Sequence, residues 1–254
     1  MRNTKQAALQ YIGDCIEVMR TLAPGSADCI ITDPPYCSGG FTEASRRSAT
    51  KHGQTGDSAW RYDNEDGWIF GDNMGTMGLV YLLRSMMVQA DRILAPGRSV
   101  LVFCDWRMVP ALAPALESTG FRWSTTVVWN KGYVLLGNGF RNQHEFILHF
   151  TKGSGDFYSK TIGNVITCKP VAVSKRIHPN QKPVKLIQTL IDVACPPGGT
   201  VLDPFQGSGV TGSAALSSGR KFIGIDKDGY WIKQSEPRLN SSGVTGLFGA
   251  NEEE

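Results

Sequence analysis

The fold of this chain is decided by the stretch Thr200-Val201-Leu202-Asp203-Pro204-Phe205-Gln206-Gly207-Ser208-Gly209. A short run of strand-forming residues is followed by a carboxylate, a proline and closely spaced glycines, a pattern typical of a strand that ends in a tight loop. A second stretch, Asp33-Pro34-Pro35-Tyr36, follows the apolar run Cys29-Ile30-Ile31-Thr32 in the same way. Both stretches therefore predict polar residues at the carboxyl edge of a sheet, where open α/β sheets bind ligands.

Around these two stretches, apolar runs that end in turn residues alternate with segments of helical period, which predicts an α/β fold with a mainly parallel twisted sheet. We predict strands at 27–32, 99–104, 122–130, 145–150, 200–202 and 221–225, and helices at 76–94, 108–117, 184–194 and 210–217. We expect a single domain over 1–239 and a flexible tail at 240–254, which is rich in Gly, Ser, Asn and Glu.

The composition narrows the class of protein. A chain of 254 residues with 41% hydrophobic content can bury one sizeable core, and its longest apolar runs have the length of strands rather than membrane spans. The N-terminal residues lack the apolar segment of a signal peptide, and the six cysteines form no CxxC pair. We therefore expect a cytoplasmic protein with free thiols, no membrane association and no metal requirement.

The net charge of +3 does not by itself indicate a nucleic-acid partner, but the basic residues are unevenly distributed. Between residues 151 and 190 a single acid, Asp156, accompanies seven basic side chains: Lys152, Lys160, Lys169, Lys175, Arg176, Lys182 and Lys185. Such an excess suits contacts with phosphates. A solvated basic face explains it equally well, and charge alone leaves both interpretations open.

The glycines of the first stretch also match the dinucleotide fingerprint G-x-G-x-x-G at Gly207, Gly209 and Gly212, with the acid Asp226 after the following strand. Two observations argue against a nicotinamide enzyme. A dinucleotide fold usually begins with this unit, whereas here it lies close to the C-terminal end of the sequence. Asp203 also places a carboxylate where a pyrophosphate would be repelled, although a cationic ligand would tolerate it. A P-loop is excluded because no Lys-Ser/Thr pair follows the glycines.

Together the two stretches resemble the motifs of β-class, circularly permuted S-adenosylmethionine-dependent amino-methyltransferases of DNA, with the catalytic motif first and the cofactor loop second. The resemblance covers roughly residues 11 to 231 and implies a Rossmann-like methyltransferase fold. It also implies these cofactor-binding residues: Asp14 and Cys15 for the adenine, Asp226 for the ribose, and Lys182, Asp203, Phe205, Gly207, Ser208 and Gly209 for the methionine half. Taken alone, Asp14 is equally well suited to cap a helix that begins at Cys15, and Lys182 could instead contact a phosphate.

The catalytic motif suits a reaction at an exocyclic amine. Such an amine is a poor nucleophile because its lone pair is delocalised into the base. Asp33 and the Pro34 carbonyl can accept hydrogen bonds from its two hydrogens, Pro35 stiffens the loop, and Tyr36 can stack on a base turned out of the helix. Cys37 suggests carbon-5 methylation of cytosine instead, but the family that performs that reaction uses a Pro-Cys pair, which is absent here.

Contacts with double-stranded DNA are expected from three segments. The polar loop at 37–75 and the segments around residues 128–131 and 141–148 supply the candidates Arg46, Arg47, Lys51, Arg61, Arg141 and His144. For His144 alone, a core histidine is an equally good interpretation. The short interval 151–177 corresponds to the target-recognition insert of the family, and its length predicts a short or relaxed target sequence.

We therefore expect a DNA methyltransferase that forms N6-methyladenine, since Asp at the first motif position is the usual adenine form in the family. An N4-cytosine enzyme is the alternative, and a catalytically silent DNA-binding relative is a third possibility that the intact motifs argue against. The resemblance further suggests a homodimer.

Overall fold

The computed structural model of the protein describes residues 7–35, 75–134, 138–172, 174, 176 and 181–241. Within these ranges the strands are β1 Ala8–Ile12, β2 Ala27–Thr32, β3 Leu94–Cys104, β4 Arg122–Asn130, β5 His144–Thr151, β6 Val165–Thr167, β7 Thr200–Asp203 and β8 Lys221–Asp226. The helices there are α1 Cys15–Thr21, α2 Thr76–Ile93, α3 Val109–Glu117, α4 Val184–Ala194, α5 Val210–Ser217 and α6 Gly229–Ser241, with a 3₁₀ turn at Trp106–Met108.

All eight of these strands form one sheet in the order β1-β8-β7-β2-β3-β5-β4-β6. Five neighbouring strands of this sheet run parallel to one another, namely β1, β8, β7, β2 and β3. β5 is antiparallel to its neighbours β3 and β4, and β6 is parallel to β4. β1 pairs with β8 from Ala8 opposite Phe222 to Ile12 opposite Asp226. The first described strand of the chain therefore lies beside the last, and the predicted α/β class with a mainly parallel sheet is confirmed.

Helices cover both faces of this sheet because successive strand residues point to opposite sides. Ile30 packs in a core with α1, α2 and α3, whereas its neighbours Cys29 and Ile31 pack in a second core with α4, α5 and the end of α6. β2 and β3 are buried on both faces, as expected of central parallel strands. This two-sided packing leaves the strand ends as the place where a ligand can approach the sheet.

The predicted strands and helices all occur, with ends that differ by a few residues. The largest difference is β3, which begins at Leu94 because the chain passes directly from α2 into the strand. β1, β6 and α6 were not predicted, and α1 was considered only as the helix beginning at Cys15 that Asp14 would cap. Asn240 and Ser241, which we assigned to the tail, belong to α6, and residues 242–254 lie outside the described ranges.

Five cysteines in the described ranges are free thiols, namely Cys15, Cys29, Cys104, Cys168 and Cys195. Cys37 lies outside those ranges. Among the helices listed above, none combines the length and the apolar character needed to cross a membrane.

Candidate active site

Four carboxylates lie at the carboxyl ends of four adjacent parallel strands. Asp14 follows β1, Asp226 ends β8, Asp203 ends β7 and Asp33 follows β2, in the order that these strands have in the sheet. Since neighbouring strands are about 4.8 Å apart, the row extends over about 14 Å. The two stretches that dominate the sequence are therefore brought together on the adjacent strands β7 and β2.

The glycine-rich loop after β7 is fixed by its own backbone. The Gly207 N–H donates to Asp226 Oδ2 at 2.9 Å, and the Gly209 N–H donates to the Gln206 carbonyl at 2.9 Å. Gly207 and Gly209 have φ of 45° and 69°, which L side chains rarely adopt. A Cβ at Gly209 would also lie 2.6 Å from Cβ of Ser235. The glycines are therefore required by the backbone, and they leave the loop without side chains where it faces the edge.

Asp203 lies beneath this loop rather than on its surface. Its side chain is buried, with the residue only 2% exposed, and Oδ1 accepts from the Thr32 hydroxyl at 2.7 Å and from the Phe205 N–H at 3.1 Å. Burial raises the pKa of Asp203 to about 7, although the hydrogen bonds to its carboxylate act in the opposite direction. Because Thr32 directly precedes Asp33, Asp203 connects the glycine loop to the predicted catalytic loop.

The other two carboxylates of the row also hold backbone groups. Asp226 accepts from Gly207 and, through Oδ1, from the Asp228 N–H at 2.9 Å, and burial raises its pKa. Asp14 caps α1 by accepting from the Ile16 N–H at 2.9 Å, which is one of the two roles the sequence allowed. Cys15 is buried behind it, and this burial raises the pKa of its thiol to about 12.

Ser208 and Phe205 complete the loop. The Ser208 carbonyl and hydroxyl oxygens accept from Arg238 Nη1 of α6 at 3.0 and 3.1 Å. The ring of Phe205 packs against the core on the α1 side of the sheet. Sequence analysis did not identify Arg238, because α6 itself was not predicted and carries no motif.

Lys182 is the centre of a buried cluster of charges at the end of β2. Its Nζ lies 2.8 Å from Oδ2 of Asp33 and 3.1 Å from Oε2 of Glu145. The other carboxylate oxygen of Glu145 lies 2.8 Å from Nζ of Lys131. The Lys182 side chain is 4% exposed, and Nζ also lies 5.3 Å from the centre of the Phe103 ring. Two cations and two carboxylates therefore form a cluster with no formal net charge.

The mutual attraction of these groups outweighs the effect of their burial. Burial acts to raise the pKa of Glu145, but Lys182 and Lys131 hold it at about 2. Burial likewise acts to lower the pKa of Lys182, but Asp33 and Glu145 raise it above its usual value. Lys182 is thus a fixed cation, and its contact with Asp33 was not anticipated from the sequence, which suggested a methionine carboxylate or a phosphate as its partner.

Some of the predicted catalytic and DNA-contacting residues lie within the described ranges, and the others lie outside them. Pro34 is buried and Pro35 half-buried beside Asp33. Arg141 is exposed, and His144 is half-buried with its ring 4.8 Å from that of Phe146. The remaining candidates lie outside the described residues: Tyr36, Arg46, Arg47, Lys51 and Arg61.

The insert predicted at 151–177 is partly built into the sheet. β6 lies within it, and the side chain of Asn164 donates to the Thr126 carbonyl at 3.2 Å. Lys152 contacts Asp91 with Nζ 3.0 Å from Oδ1, so this basic residue has an intramolecular role. Lys160 and Lys169 are exposed. Within the described part of the chain, no group of three or more His, Cys, Asp or Glu side chains is placed to hold a metal ion.

The family model described as DNA methylase, for N6 and N4 enzymes, matches residues 27–237. The chain therefore belongs to this family of DNA methylases. The protein YubD of Escherichia coli (strain K12), which is named as a methylase, is 31% identical over 227 residues, covering 89% of this chain and 88% of that protein. Type II methyltransferase M.HinfI of Haemophilus influenzae is 26% identical over 253 residues, covering 89% of this chain and 67% of that protein.

Solved structures of methyltransferases share this fold. The crystal structure of the M1.HpyAVI–SAM complex covers 92% of this chain and 99% of that chain, with a TM-score of 0.65 and 23% identity. PvuII DNA methyltransferase, described as cytosine-N4-specific, covers 96% of this chain and 92% of that chain, with a TM-score of 0.70 and 17% identity. At these identities the likeness concerns the fold, and the Rossmann-like methyltransferase architecture expected from the sequence is confirmed.

Proposed function

We propose that this protein transfers a methyl group from S-adenosylmethionine to the exocyclic N6 amine of adenine in double-stranded DNA. The observation that carries the proposal is the order of four residues along one sheet edge. The predicted adenine contact Asp14, the ribose contact Asp226, the methionine loop at Gly207 and the catalytic Asp33 occupy neighbouring strands in that order. An extended cofactor lying along the edge would present its sulfonium end towards Asp33.

The residues present fit this cofactor. The loop at Gly207 and Gly209 has no side chains to block the approach of the methionine half. Asp226 uses one lone pair of each oxygen for a backbone N–H, and a carboxylate has about four acceptor positions, so ribose hydroxyls can still donate to it. Asp203 adds a buried carboxyl near the position of the cationic sulfur, where negative charge is favourable.

The bound cofactor supplies an activated methyl group, and the protein prepares the amine that receives it. Asp33 accepts a hydrogen bond from the amine, and its negative charge would stabilise the positive charge that develops on N6 as the N–CH3 bond forms by in-line displacement. The S–CH3 bond would break at the same time to leave a neutral thioether, and the surplus N6 proton would pass to water. Lys182, with Nζ 2.8 Å from Oδ2 of Asp33, holds this carboxylate in place. We assign Lys182 to this positioning role, with the Pro34 carbonyl as the second acceptor and Tyr36 as the stacking residue.

We favour adenine because Asp occupies the first position of the catalytic motif, as in the adenine enzymes of the β-class that the sequence resembles. An N4-cytosine enzyme would use the same acceptors on a similar amine. The distinction depends on the shape of the base pocket, to which the loop at 37–75 is expected to contribute. The short insert at 151–177 favours a short or relaxed target sequence.

The decisive experiment is incubation of the purified protein with isotope-labelled S-adenosylmethionine and plasmid DNA, followed by nucleoside analysis. Label in N6-methyladenine is the expected result, and label in N4-methylcytosine would select the alternative. A variant with Asp33→Ala serves as the matched control, since it removes the acceptor and leaves the glycine loop intact. Absence of label from the DNA with the wild-type protein, despite measured cofactor binding, would favour the silent DNA-binding relative.

We also propose that the protein is a homodimer that joins through α2. Met77 and Tyr81 are each 76% exposed, and Val88 is about half exposed on the same side of the helix. Light scattering of the wild-type protein should give the mass of a dimer, and Tyr81→Asp should give that of a monomer. A monomeric wild-type protein would contradict this assignment without affecting the proposed chemistry.

A further inference from the structure

The hairpin between β4 and β5 extends beyond the sheet edge that carries Asp33. β4 ends at Asn130 and β5 begins at His144, and the Lys131 N–H donates to the Gln143 carbonyl at 2.8 Å to close the base of the hairpin. β5 is antiparallel to β3, so this base lies at the carboxyl ends of β2 and β3. The described residues 132–134 and 138–142 therefore lie at the sheet edge that carries Asp33, where a DNA substrate of Asp33 would have to approach.

Phe140 lies three residues from Gln143 at the base of the hairpin, so its Cα can lie at most about 10 Å from that base. The major groove is about 12 Å wide, and the minor groove about 6 Å wide. The Phe140 side chain can therefore enter a groove of a duplex that lies against this sheet edge, while the base of the hairpin remains attached to the sheet.

The side chains that the hairpin presents are unusual for a surface in water. Phe140 is fully exposed, and Tyr133 and Val134 are each about half exposed. Burying a Phe ring contributes about 1.5–3 kcal/mol, so a fully exposed ring gains this only on binding a partner. Arg141, also exposed, directly follows Phe140 and adds a cation beside the ring. An apolar ring next to a cation matches the chemistry of stacked bases next to phosphates.

A base that reaches Asp33 must leave the stack, because this carboxylate lies at a strand end and is 25% exposed. Extrusion costs a few kcal/mol in lost stacking and pairing and leaves a gap in the duplex. Apolar side chains that insert between base steps can offset this cost. We propose that Phe140 is the wedge that enters the duplex beside the extruded adenine, with Arg141 on a flanking phosphate. The proposal rests on the function proposed above and adds the residue that opens the duplex.

The experiment compares two substrates for Phe140→Ala. One is a synthetic duplex that carries the site mapped in plasmid DNA methylated by the wild-type protein, and the other has an abasic position opposite the target adenine. Loss of the wedge should slow methylation of the paired duplex about 10- to 100-fold, as expected for a few kcal/mol of extrusion energy. On the unpaired substrate the variant should stay within about 3-fold of the wild type, because extrusion is already easy. Phe140→Leu should recover part of the rate on the paired duplex.

A matched control and a second readout separate this role from others. Trp123→Ala removes an exposed aromatic ring at the start of β4, on the opposite edge of the sheet, and should leave both rates unchanged. Fluorescence of 2-aminopurine at the target position should rise on binding of the wild type and much less on binding of Phe140→Ala.

Three outcomes would overturn the inference. Equal slowing on both substrates would place Phe140 in the chemistry rather than in extrusion, and no slowing on either would place the wedge elsewhere, for example on the loop at 37–75. A changed oligomeric mass of Phe140→Ala would assign the ring to a subunit interface. Failure of the wild-type protein on both substrates would instead contradict the proposed function itself.

Discussion

Replacement of Lys182 by Met tests how the carboxylate of Asp33, the proposed catalytic acceptor, is held in place. Nζ of Lys182 lies 2.8 Å from Asp33, with the lysine side chain 4% and the aspartate side chain 25% exposed. Two unit charges at that distance attract each other by about 6 kcal/mol at an effective dielectric constant of 20. Water that reaches Asp33 screens part of this attraction. We therefore expect that Lys182→Met loses about 2–3 kcal/mol of transition-state stabilisation at neutral pH. The expected decrease in kcat is therefore about 30- to 150-fold.

The assay measures methyl transfer with saturating cofactor, together with calorimetry of cofactor binding. Without Lys182 the carboxylate of Asp33 loses the cation 2.8 Å away that fixes its position, so the deficit of Lys182→Met should appear in the rate of transfer while cofactor binding persists. Lys182→Arg, which keeps the positive charge, should recover part of the rate and separates an electrostatic effect from a failure to fold.

Lys131→Met provides a control inside the same cluster. Lys131 contacts only the Glu145 carboxylate in this group, at 2.8 Å, so its removal leaves the contact between Lys182 and Asp33 in place. We expect its rate to stay within about 5-fold of the wild type, since the lost pair does not involve the carboxylate of Asp33, the proposed acceptor. A wild-type rate in Lys182→Met, or an equal deficit in Lys131→Met, would refute the proposed positioning role.

Three further predictions concern the row of carboxylates. Asp33→Ala should lose at least about 10²-fold in methylation, the scale of one lost partner in a preorganised site, while calorimetry still detects S-adenosylmethionine binding. Gly207→Val and Asp226→Ala should instead weaken the binding of S-adenosylmethionine. Gly207→Val forces a branched residue into a backbone φ of 45°, and Asp226→Ala removes a carboxylate acceptor. Since the pKa of Asp203 rises to about 7 in the folded protein, the free energy of unfolding should fall by up to about 4 kcal/mol between about pH 4 and pH 7. Denaturant titrations at a series of pH values should show a smaller decrease in the free energy of unfolding for Asp203→Asn. The same dependence on pH in the variant and the wild type would contradict the argument that burial raises the pKa of Asp203.

The parts of the fold that could be predicted are those with local signals. The strand at 200–203 and the helix at 210–217 are separated by a loop whose glycines adopt positive φ, and the sequence shows both the apolar run and the turn residues. That the two motifs lie at the same edge of the sheet also follows from the sequence, because each ends an apolar strand, whereas the pairing of β7 with β2 is seen only in the structure. Parallel strands bring such ends to the same edge.

The elements that were missed lack such signals. β6 has three residues and is held by pairing with β4, and α6 contains Pro237 within its span. β1 is short and only partly buried, and its position depends on pairing with β8 at the other end of the described chain. Tertiary contacts rather than local propensity place all three elements, so periodicity alone does not reveal them.

Lys182 shows how the same limitation affects the interpretation of a site. In the sequence it is one of several basic residues between 151 and 190, for which charge alone left a phosphate contact and a solvated face both open. A lysine with a side chain that is 4% exposed is stable as a cation only where carboxylates replace its hydration, and here Asp33 comes from the end of β2 and Glu145 from β5. Glu145 in turn needs Lys131, because one lysine cannot balance two buried carboxylates. The cluster is therefore specified jointly by residues far apart in sequence. If Asp33 is the acceptor that we propose, its reactivity depends on residues outside the catalytic motif, and variants of Lys182 and Lys131 measure this dependence separately from cofactor binding.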